Sequence, residues 1–595
     1  MKKHLRKSIA CFGLLAGLSL FIWGTYLRGV GASAQDELWQ ELAAERLLAD
    51  KNSGEERLYR LNAGALRNVL NRAPMEFSSQ LADSPAVLSL PMPNGRLERF
   101  RIQESPILES PLARQYPQIK SYRGQGIETP SATMRVAFSP LGLHALVLDG
   151  EESFTVLPTA NDNTIYVSAK ANAQTDKLRC EVDDSKIIHR EPNAPQAPAA
   201  PVGDTLRTYR IAIATTSEYS AQYGGGNVAQ TIASINVWLN AANAIYERDL
   251  SVRMVLIGNN NQVVYTAEPD PFSNGDPTAM LAQVRTTLRD QIGAANYDVG
   301  HVFGTGGSGL AYIGVACSAG ADGNGPFKGG GVSLMGGAAG NATYVGLWTH
   351  ELGHQFGANH SFNGITDFCG AVGGRSPSSA YESGAGITIM SYAGVCNTDN
   401  LSIDRELRFH SKSIDSITAY LGAGLCAQTS ATGNNIPTVN GGADFTIPKN
   451  TPFTLTATGN DSDATDIPNL RYVWEQYDAG GSAYANPPYD DSGDSSASTR
   501  PIFRPFSPVV SPSRTFPSLT YILNNANNPP DFVGGFRTAE ELPRIGRTLN
   551  FRVTIRDQRG GVNADDVQLQ VASNAGPFVV TAPESAVNWS GGTNQ

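Results

Sequence analysis

Residues 349–360, with the sequence Thr349-His350-Glu351-Leu352-Gly353-His354-Gln355-Phe356-Gly357-Ala358-Asn359-His360, hold three of the eight histidines in the chain. His350 and His354 are four residues apart, so a helix places both on one face, where they can reach the same metal ion. Glu351 then lies on the adjacent stripe, within reach of a water on that metal. Gly357 can adopt the positive φ of a helix-ending turn, which would bring His360 back as a third ligand.

Three imidazoles and one open position are typical of a catalytic zinc ion, whereas structural zinc sites usually contain thiolates. This cluster contains no cysteine. We therefore predict that His350, His354 and His360 bind one zinc ion and that Glu351 is the general base. A histidine pair on a helix face without metal is the alternative, and the further match at Gly357 and His360 argues against it.

The flanking sequence predicts an α/β domain at residues 204–430, with a mixed sheet and a long active-site helix. Strand patterns at 209–214, 252–257 and 297–303 alternate with helical patterns at 228–250 and 278–292. Alternation of this kind favours a mostly parallel sheet. A strand at 331–335 and a helix at 344–357 follow. We expect an extended peptide to pair with an edge strand near 331–335.

The segment Ile389-Met390-Ser391-Tyr392 begins 29 residues after His360. Together with the long histidine motif, it resembles the Met-turn of the metzincin zinc metalloproteases. Residues 206–430 resemble the reprolysin (adamalysin) family, in a bacterial-type version, in element order, in the segment 309–317 and in their four cysteines. The resemblance implies an endopeptidase in which Met390 packs beneath the metal.

Two positions depart from the reprolysin pattern. Ser361 stands where reprolysins usually carry an aspartate, and Tyr392 stands where many of them have no tyrosine. In astacins and serralysins, a tyrosine two residues past the methionine ligates or hydrogen-bonds near zinc. Tyr392 is therefore a candidate catalytic residue, with a packed or surface tyrosine as the equal alternative.

Five cysteines remain if Cys11 leaves with a signal peptide. The resemblance implies the disulfides Cys317–Cys426 and Cys369–Cys396, although the four residues alone allow three pairings. Cys180 is then the odd one, just before a Pro-rich linker. It resembles the pro-segment cysteine with which matrix metalloproteases and their relatives hold the enzyme latent, and a thiolate is a good fourth zinc ligand. A buried or adventitious thiol is the alternative.

The rest of the sequence predicts an exported protein with several domains. Residues 1–34 have a basic start, an uncharged run and an Ala-Ser-Ala cleavage pattern, which indicate a signal peptide for bacterial export. Residues 35–203 predict an α+β pro-region that opens with a helical stretch at 37–70 and ends in the linker. An all-β sandwich is expected at 435–573, and 574–595 would begin a further, truncated domain.

The sandwich resembles PKD-like or cadherin-like modules at residues 460–463 and at Trp474. We expect it to act as a spacer or in substrate adhesion. Its acidic loop offers oxygen ligands for calcium, although solvated turn aspartates explain the same residues better.

Composition narrows the class of function. The net charge is −10, and no run of basic residues follows the first seven residues. This excludes the basic surface that is typical of nucleic-acid-binding proteins. No stretch after the signal is apolar enough to span a bilayer. We predict a secreted zinc endopeptidase, made as a latent precursor, that acts on protein or peptide substrates; its oligomeric state is open. The alternatives are a secreted adhesin with a vestigial metal site and a zinc hydrolase of another substrate class.

Overall fold

The computed structural model describes residues 38–42, 56–150, 153–159, 162–171, 173–174, 179–180, 200–371, 374–422, 425–481 and 499–579. The predicted signal peptide, nearly all of the Pro-rich linker and most of 574–595 lie outside these residues. Among the helices that the structure describes, none combines the length and apolar character that a membrane crossing requires.

The N-terminal region is a nine-stranded antiparallel sheet with the strand order β1-β2-β9-β8-β7-β6-β5-β4-β3. In the part of this region that the structure describes, helices α1 (Ala63–Leu70) and α2 (Ser110–Gln115) accompany it. The strands are β1 (Trp39–Glu41), β2 (Arg57–Leu61), β3 (Val87–Pro91), β4 (Leu97–Glu104), β5 (Lys120–Gly126), β6 (Thr133–Ser139), β7 (Gly142–Leu148), β8 (Phe154–Thr159) and β9 (Asp162–Lys170). Their alternating apolar residues form a core of their own.

The expected helical stretch at 37–70 is wrong in part. Of the residues that the structure describes in this stretch, 39–41 and 57–61 are paired strands and Ala63–Leu70 is helical; residues 43–55 lie outside the described residues. Trp39 and Tyr59 are buried against the sheet, so tertiary packing outweighs the helical spacing of apolar residues in this short segment.

The middle region contains a mixed sheet with the order β11-β15-β18-β14-β12-β13, and β20 pairs with the start of β12. The end of the N-terminal region adds β10 (Ala173–Gln174) and β11 (Arg179–Cys180). The strands of the middle region itself are β12 (Thr205–Thr215), β13 (Val252–Leu256), β14 (Val299–Thr305), β15 (Ser308–Ala311), β16 (Ala321–Asp322), β17 (Gly325–Pro326), β18 (Gly331–Met335), β19 (Asp404–Arg405) and β20 (Gln428–Ala431). The helices are α3 (Ser217–Gly224), α4 (Val228–Leu250), α5 (Pro277–Gln291), α6 (Ala342–Gln355) and α7 (Ser411–Leu421). Pairing is parallel from β13 to β18 and antiparallel between β18 and β15.

The edge strand predicted near residues 331–335 is not strand β18 (Gly331–Met335) itself. Strand β18 lies between β14 and β15, and its five residues are all buried. The outer strand of the middle region is β15, whose four residues 308–311 return antiparallel after a Gly-rich turn. A strand of four residues that follows two glycines gives almost no pattern of its own in the sequence.

The C-terminal region is rich in strands. A four-stranded sheet, β22-β30-β29-β25, and the pair β23-β26 contribute to one hydrophobic core around Trp474 and Phe551. The strands are β21 (Thr438–Asn440), β22 (Phe445–Pro448), β23 (Phe453–Thr456), β24 (Thr458–Asn460), β25 (Arg471–Gln476), β26 (Ser513–Phe516), β27 (Phe532–Val533), β28 (Phe536–Arg537), β29 (Thr548–Arg556) and β30 (Val562–Ala572), with helix α8 (Leu519–Leu523).

Buried ion pairs join the C-terminal region to the middle region. The Glu475 carboxylate accepts hydrogen bonds from Arg408 Nη1 at 2.6 Å and from Ser411 N at 2.9 Å. Arg556 bonds Asp249 at 3.1 Å, and Arg552 bonds Asp415. A tethered spacer would not bury such groups, because each buried charge needs a fixed partner. The C-terminal region is therefore a packed neighbour of the middle region.

We predict that Glu475→Gln lowers the stability of the chain by about 3 kcal/mol at pH 7, because Arg408 stays buried and loses one of its carboxylates. Burial raises the pKa of Glu475, but the neighbouring His410 and Arg408 outweigh burial and lower that pKa to about 2. The ionised Glu475 carboxylate therefore contributes its full share of stability above the pKa of about 4.5 that the group has in the unfolded chain, and this share is lost as the pH falls towards 2.

Denaturant unfolding of the wild type and the variant between pH 7 and pH 3 measures this difference. The difference in free energy of unfolding between the wild type and Glu475→Gln should become smaller as the pH falls. Asp531→Asn, at an exposed position of the same region, should leave the midpoint unchanged at every pH. An equal difference at pH 7 and pH 3 would show that the ionised Glu475 carboxylate does not supply this stability.

Candidate metal centre

Helix α6 carries the first two histidines and the glutamate of the motif. Its N-terminus is capped by the Asn341 side chain, which accepts the Thr343 N–H at 2.9 Å. The helix ends at Gln355 with Phe356 as its C-cap, and Gly357 has φ +100°, a conformation that favours glycine. A Cβ at Gly357 would also lie 2.6 Å from Cβ of Tyr420. The turn therefore needs a glycine both for its φ and for space.

The three histidines meet at one point. Their Nε2 atoms are 3.1 Å apart for His350 and His354, 3.2 Å for His354 and His360, and 3.3 Å for His350 and His360. Nitrogens bound to one tetrahedral zinc at about 2.0–2.1 Å lie about 3.3 Å apart, so the donor set fits that ion. Glu351 and the three imidazoles are all fully buried.

Backbone carbonyls orient two of the imidazoles. Nδ1 of His350 donates to the Ile389 carbonyl at 2.7 Å, and Nδ1 of His354 donates to the Ala358 carbonyl at 2.7 Å. These bonds place the second proton of each ring at Nδ1 and turn the Nε2 lone pair towards the shared point. Burial is the main cause that lowers the pKa of both groups, to about 4 for His354. Both rings are therefore neutral at pH 7, as metal ligands must be.

Met390 lies beneath the helix. A Cβ at Gly353 would be 2.5 Å from the Met390 sulfur, so the side chain packs directly against α6 between the two ligand positions. The Met390 carbonyl accepts the Ser361 N–H at 3.0 Å, one residue after His360. The turn at Met390 therefore contacts both the helix and the segment of the third histidine.

Glu382 is a residue of this site that the sequence did not single out. Its buried carboxylate accepts the Ser361 hydroxyl at 2.5 Å and the Thr388 hydroxyl at 2.5 Å. It also accepts the N–H groups of Ile387 at 2.8 Å and Thr388 at 3.2 Å. A carboxylate 21 residues further along the chain thus binds the residue that directly follows the third histidine.

The Tyr392 ring is buried beside the third histidine. Its centroid lies 4.6 Å from that of His360 and 4.6 Å from that of Phe362, on which it stacks. Tyr392 is therefore a packed residue of the site wall. These contacts are compatible with either of the roles expected for it, and its part in catalysis stays a prediction.

Strand β15 brings backbone next to Glu351. A Cβ at Gly309 would lie 2.3 Å from Oε1 of Glu351, so only glycine fits between the strand and the carboxylate. On the side of β15 away from β18, strand β11 pairs with it in parallel, with Arg179 opposite Ser308 and Cys180 opposite Gly309. The backbone of Cys180 is therefore one strand away from the residue that touches Glu351.

Two disulfides frame the site. Cys317 is bonded to Cys426, and Cys369 is bonded to Cys396, which is the pairing that the family resemblance implied. The first ties the segment before α6 to the chain just after α7. The second closes the segment that contains the turn at Met390, and both sulfurs of this pair are buried.

The segment between His360 and Met390 is held by the C-terminal region. The Gly480 N–H donates to the Ala380 carbonyl at 2.8 Å, and the Ser383 hydroxyl donates to the Pro501 carbonyl at 2.9 Å. Tyr477 packs on Tyr381 with 4.6 Å between ring centroids. This explains how a Gly/Ser-rich segment adopts one conformation beside the metal centre.

The described residues contain one further group of possible metal ligands, Glu218, Glu268 and Asp270, at the start of α3. It lies away from the C-terminal acidic loop. In that loop, Asp463 accepts hydrogen bonds from Asn435, and Asp461 accepts the Asp463 N–H at 2.8 Å. Calcium binding there stays a prediction.

Comparison with known proteins agrees with this geometry. Residues 205–421 match a family model described as metallo-peptidase family M12B, reprolysin-like, and the match runs from the start of β12 to the end of α7. No curated protein matches the chain. The family match supports a reprolysin-like metzincin and implies a metalloendopeptidase, whose zinc the histidine triad fits.

We predict that Glu382→Ala weakens zinc binding by about 10-fold or more, because it leaves two N–H groups and two hydroxyls buried beside the ligands without their acceptor. Glu382→Gln keeps one oxygen for the N–H groups, and the hydroxyls can reverse to accept from its amide. It should therefore stay within a few-fold of wild type. Competition with a zinc chelator measures both. Equal affinity in wild type and Glu382→Ala would contradict a positioning role.

Proposed function

We propose that the chain is a secreted zinc endopeptidase, made as a latent precursor, that cleaves peptide bonds of extracellular proteins. The observation that carries the proposal is the convergence of three buried Nε2 atoms within 3.1–3.3 Å of one another beside Glu351. Secretion is supported by the sequence pattern of residues 1–34 and by two disulfides, which persist in oxidising compartments.

His350, His354 and His360 would hold the zinc. When bound, zinc supplies a Lewis acid that polarises the scissile carbonyl and makes water more acidic. Glu351 then accepts the proton of the attacking water and delivers it to the leaving amine. Tyr392 is a candidate donor to the developing oxyanion. The substrate backbone would pair with β15, whose Gly309 lets it approach the Glu351 carboxylate.

The strand that covers β15 supports the proposed latency. Residues 179–180 pair with β15 along the edge at which an extended peptide would bind. Residues 173–174 pair antiparallel with β19 (Asp404–Arg405), and Arg405 donates to the Ser391 carbonyl beside the Met390 turn at 3.0 Å. We propose that the N-terminal region blocks the cleft through these two strands and that the Cys180 thiolate acts as a zinc ligand until cleavage releases it.

Casein degradation that a chelator blocks and zinc restores separates the proposal from its rivals. The processed enzyme should degrade casein, lose this activity when a chelator is added and regain it when zinc is returned. An adhesin with a vestigial site would leave casein intact. A zinc hydrolase of another substrate class would bind zinc at the three histidines and also leave casein intact.

Glu351→Gln in the processed enzyme should lose at least about 100-fold in peptidase activity, because the amide keeps the shape and cannot accept the proton. Zinc content should be unchanged, since Glu351 is not one of the three imidazole ligands. Metal analysis and peptide hydrolysis on the same sample measure the two quantities. Near-normal turnover in a zinc-loaded variant would exclude Glu351 as the base.

Cys180→Ser should make the unprocessed chain active, because a hydroxyl is a poor zinc ligand. A mercurial that modifies the thiol should have the same effect on the wild-type precursor. Hydrolysis of a short peptide by intact precursor, checked on a gel for absence of cleavage, measures this. If the variant precursor stays as inactive as wild type while the processed enzyme is active, the N-terminal region blocks the cleft by its bulk alone.

A further inference from the structure

A large cavity lies where the three regions of the chain meet, beside the C-terminal end of helix α4. Its volume is about 590 Å³, and its lining comes from the N-terminal sheet, from helix α4 and strand β13, and from the C-terminal region. This volume falls in the range of about 300–1,000 Å³ that is typical of small-molecule sites. None of the three zinc-binding histidines lines it.

Arginines dominate the charged residues of the lining. Its charged residues are Arg123, Arg135, Glu247, Arg248, Arg253 and Arg559. Two of these arginines have carboxylates outside the cavity lining: Arg248 bonds Asp249 at 2.8 Å, and Arg559 bonds Asp466 at 2.8 Å. The remaining three form one cluster around Glu247.

Within that cluster, positive charge exceeds negative charge. Glu247 accepts hydrogen bonds from both Arg135 and Arg253, and Arg253 also bonds Glu76 at 2.6 Å. Arg123 has no ion pair with any described residue and lies over the Phe77 ring, 5.8 Å from its centroid. Two carboxylates thus face three guanidinium groups.

The cluster also has hydrogen-bond donors to spare. Nε of Arg123, Nε of Arg135 and Nη2 of Arg253 are buried and have no partner among the residues that the structure describes. The Arg135 and Arg253 side chains are 3% and 5% exposed. Burial is the main cause that lowers the pKa of Arg123, as expected for a cation without its own counter-charge. Guanidinium donors of this kind match carboxylate and phosphate oxygens.

We propose that this cavity binds a small organic anion whose carboxylate or phosphate group lies against Arg123, Arg135 and Arg253. The rest of such a ligand would contact the apolar part of the lining, which includes Met134, Leu206 and Ala244. Arg123 and Arg135 belong to the N-terminal sheet and Arg253 belongs to β13, so the ligand bridges the two regions. A bound anion therefore stabilises the docked position of the N-terminal region.

The test is calorimetric titration of the intact chain with inorganic phosphate, with succinate and with uncharged succinamide, at a fixed ionic strength. Phosphate or succinate should bind, and succinamide should not. Binding of phosphate alone identifies a phosphate ligand, and binding of succinate alone identifies a carboxylate ligand. If neither anion binds the wild-type chain at concentrations of tens of millimolar, the proposal is wrong.

Variants locate the site. Arg123→Gln should weaken binding at least about tenfold, because it removes a charged donor, and it breaks no ion pair of the described structure. Arg123→Lys should retain part of the affinity. Arg96→Gln, at an exposed position of the same sheet region, should bind as wild type does. Unfolding midpoints should rise with the anion in wild type and in Arg96→Gln. Equal affinity in Arg123→Gln and wild type would place binding elsewhere and overturn the proposal.

Discussion

Burying three imidazoles and a carboxylate side by side is the constraint on which the rest of this structure depends. His350, His354 and His360 have no exposed surface, and each can serve a metal only as a neutral ring with its lone pair aimed at one point. Every nearby element contributes to that arrangement. Two backbone carbonyls fix two of the rings, a glycine turn returns the third, and the Met390 side chain fills the space beneath the helix.

The same constraint explains why the flanking regions are packed so closely. The segment after His360 is rich in glycine and serine and has few apolar side chains with which to hold itself. Glu382 and the disulfide Cys369–Cys396 fix it from within, and Gly480 and Tyr477 of the C-terminal region fix it from outside. Ion pairs such as Arg408–Glu475 then make that outer support stiff, because a buried charge tolerates little displacement from its partner.

Much of the middle region could be predicted because its elements have clear periods. Helix α4 spans the predicted residues 228–250, and the helix and strand patterns around it lie within two residues of the observed elements, except that β12 begins at Thr205, four residues before the predicted start. The outer strand could not be predicted, since a strand of four residues, 308–311, is too short to show a period. Glu382 could not be found either. A carboxylate 21 residues from the serine that it binds has no fixed spacing to read, and only the closure of the segment brings the two together.

Ser361 and Glu382 show what a family motif does and does not fix. The motif specifies the metal ligands by spacing, because one helix and one turn must present them at fixed distances. The group that braces the third ligand needs only to be a buried acceptor at the right place. It can come from the next residue or, as here, from a carboxylate that also accepts the N–H groups of Ile387 and Thr388. Because the acceptor is Glu382, one side chain joins the segment of the third histidine to the turn at Met390. A displacement of either segment therefore also displaces the other.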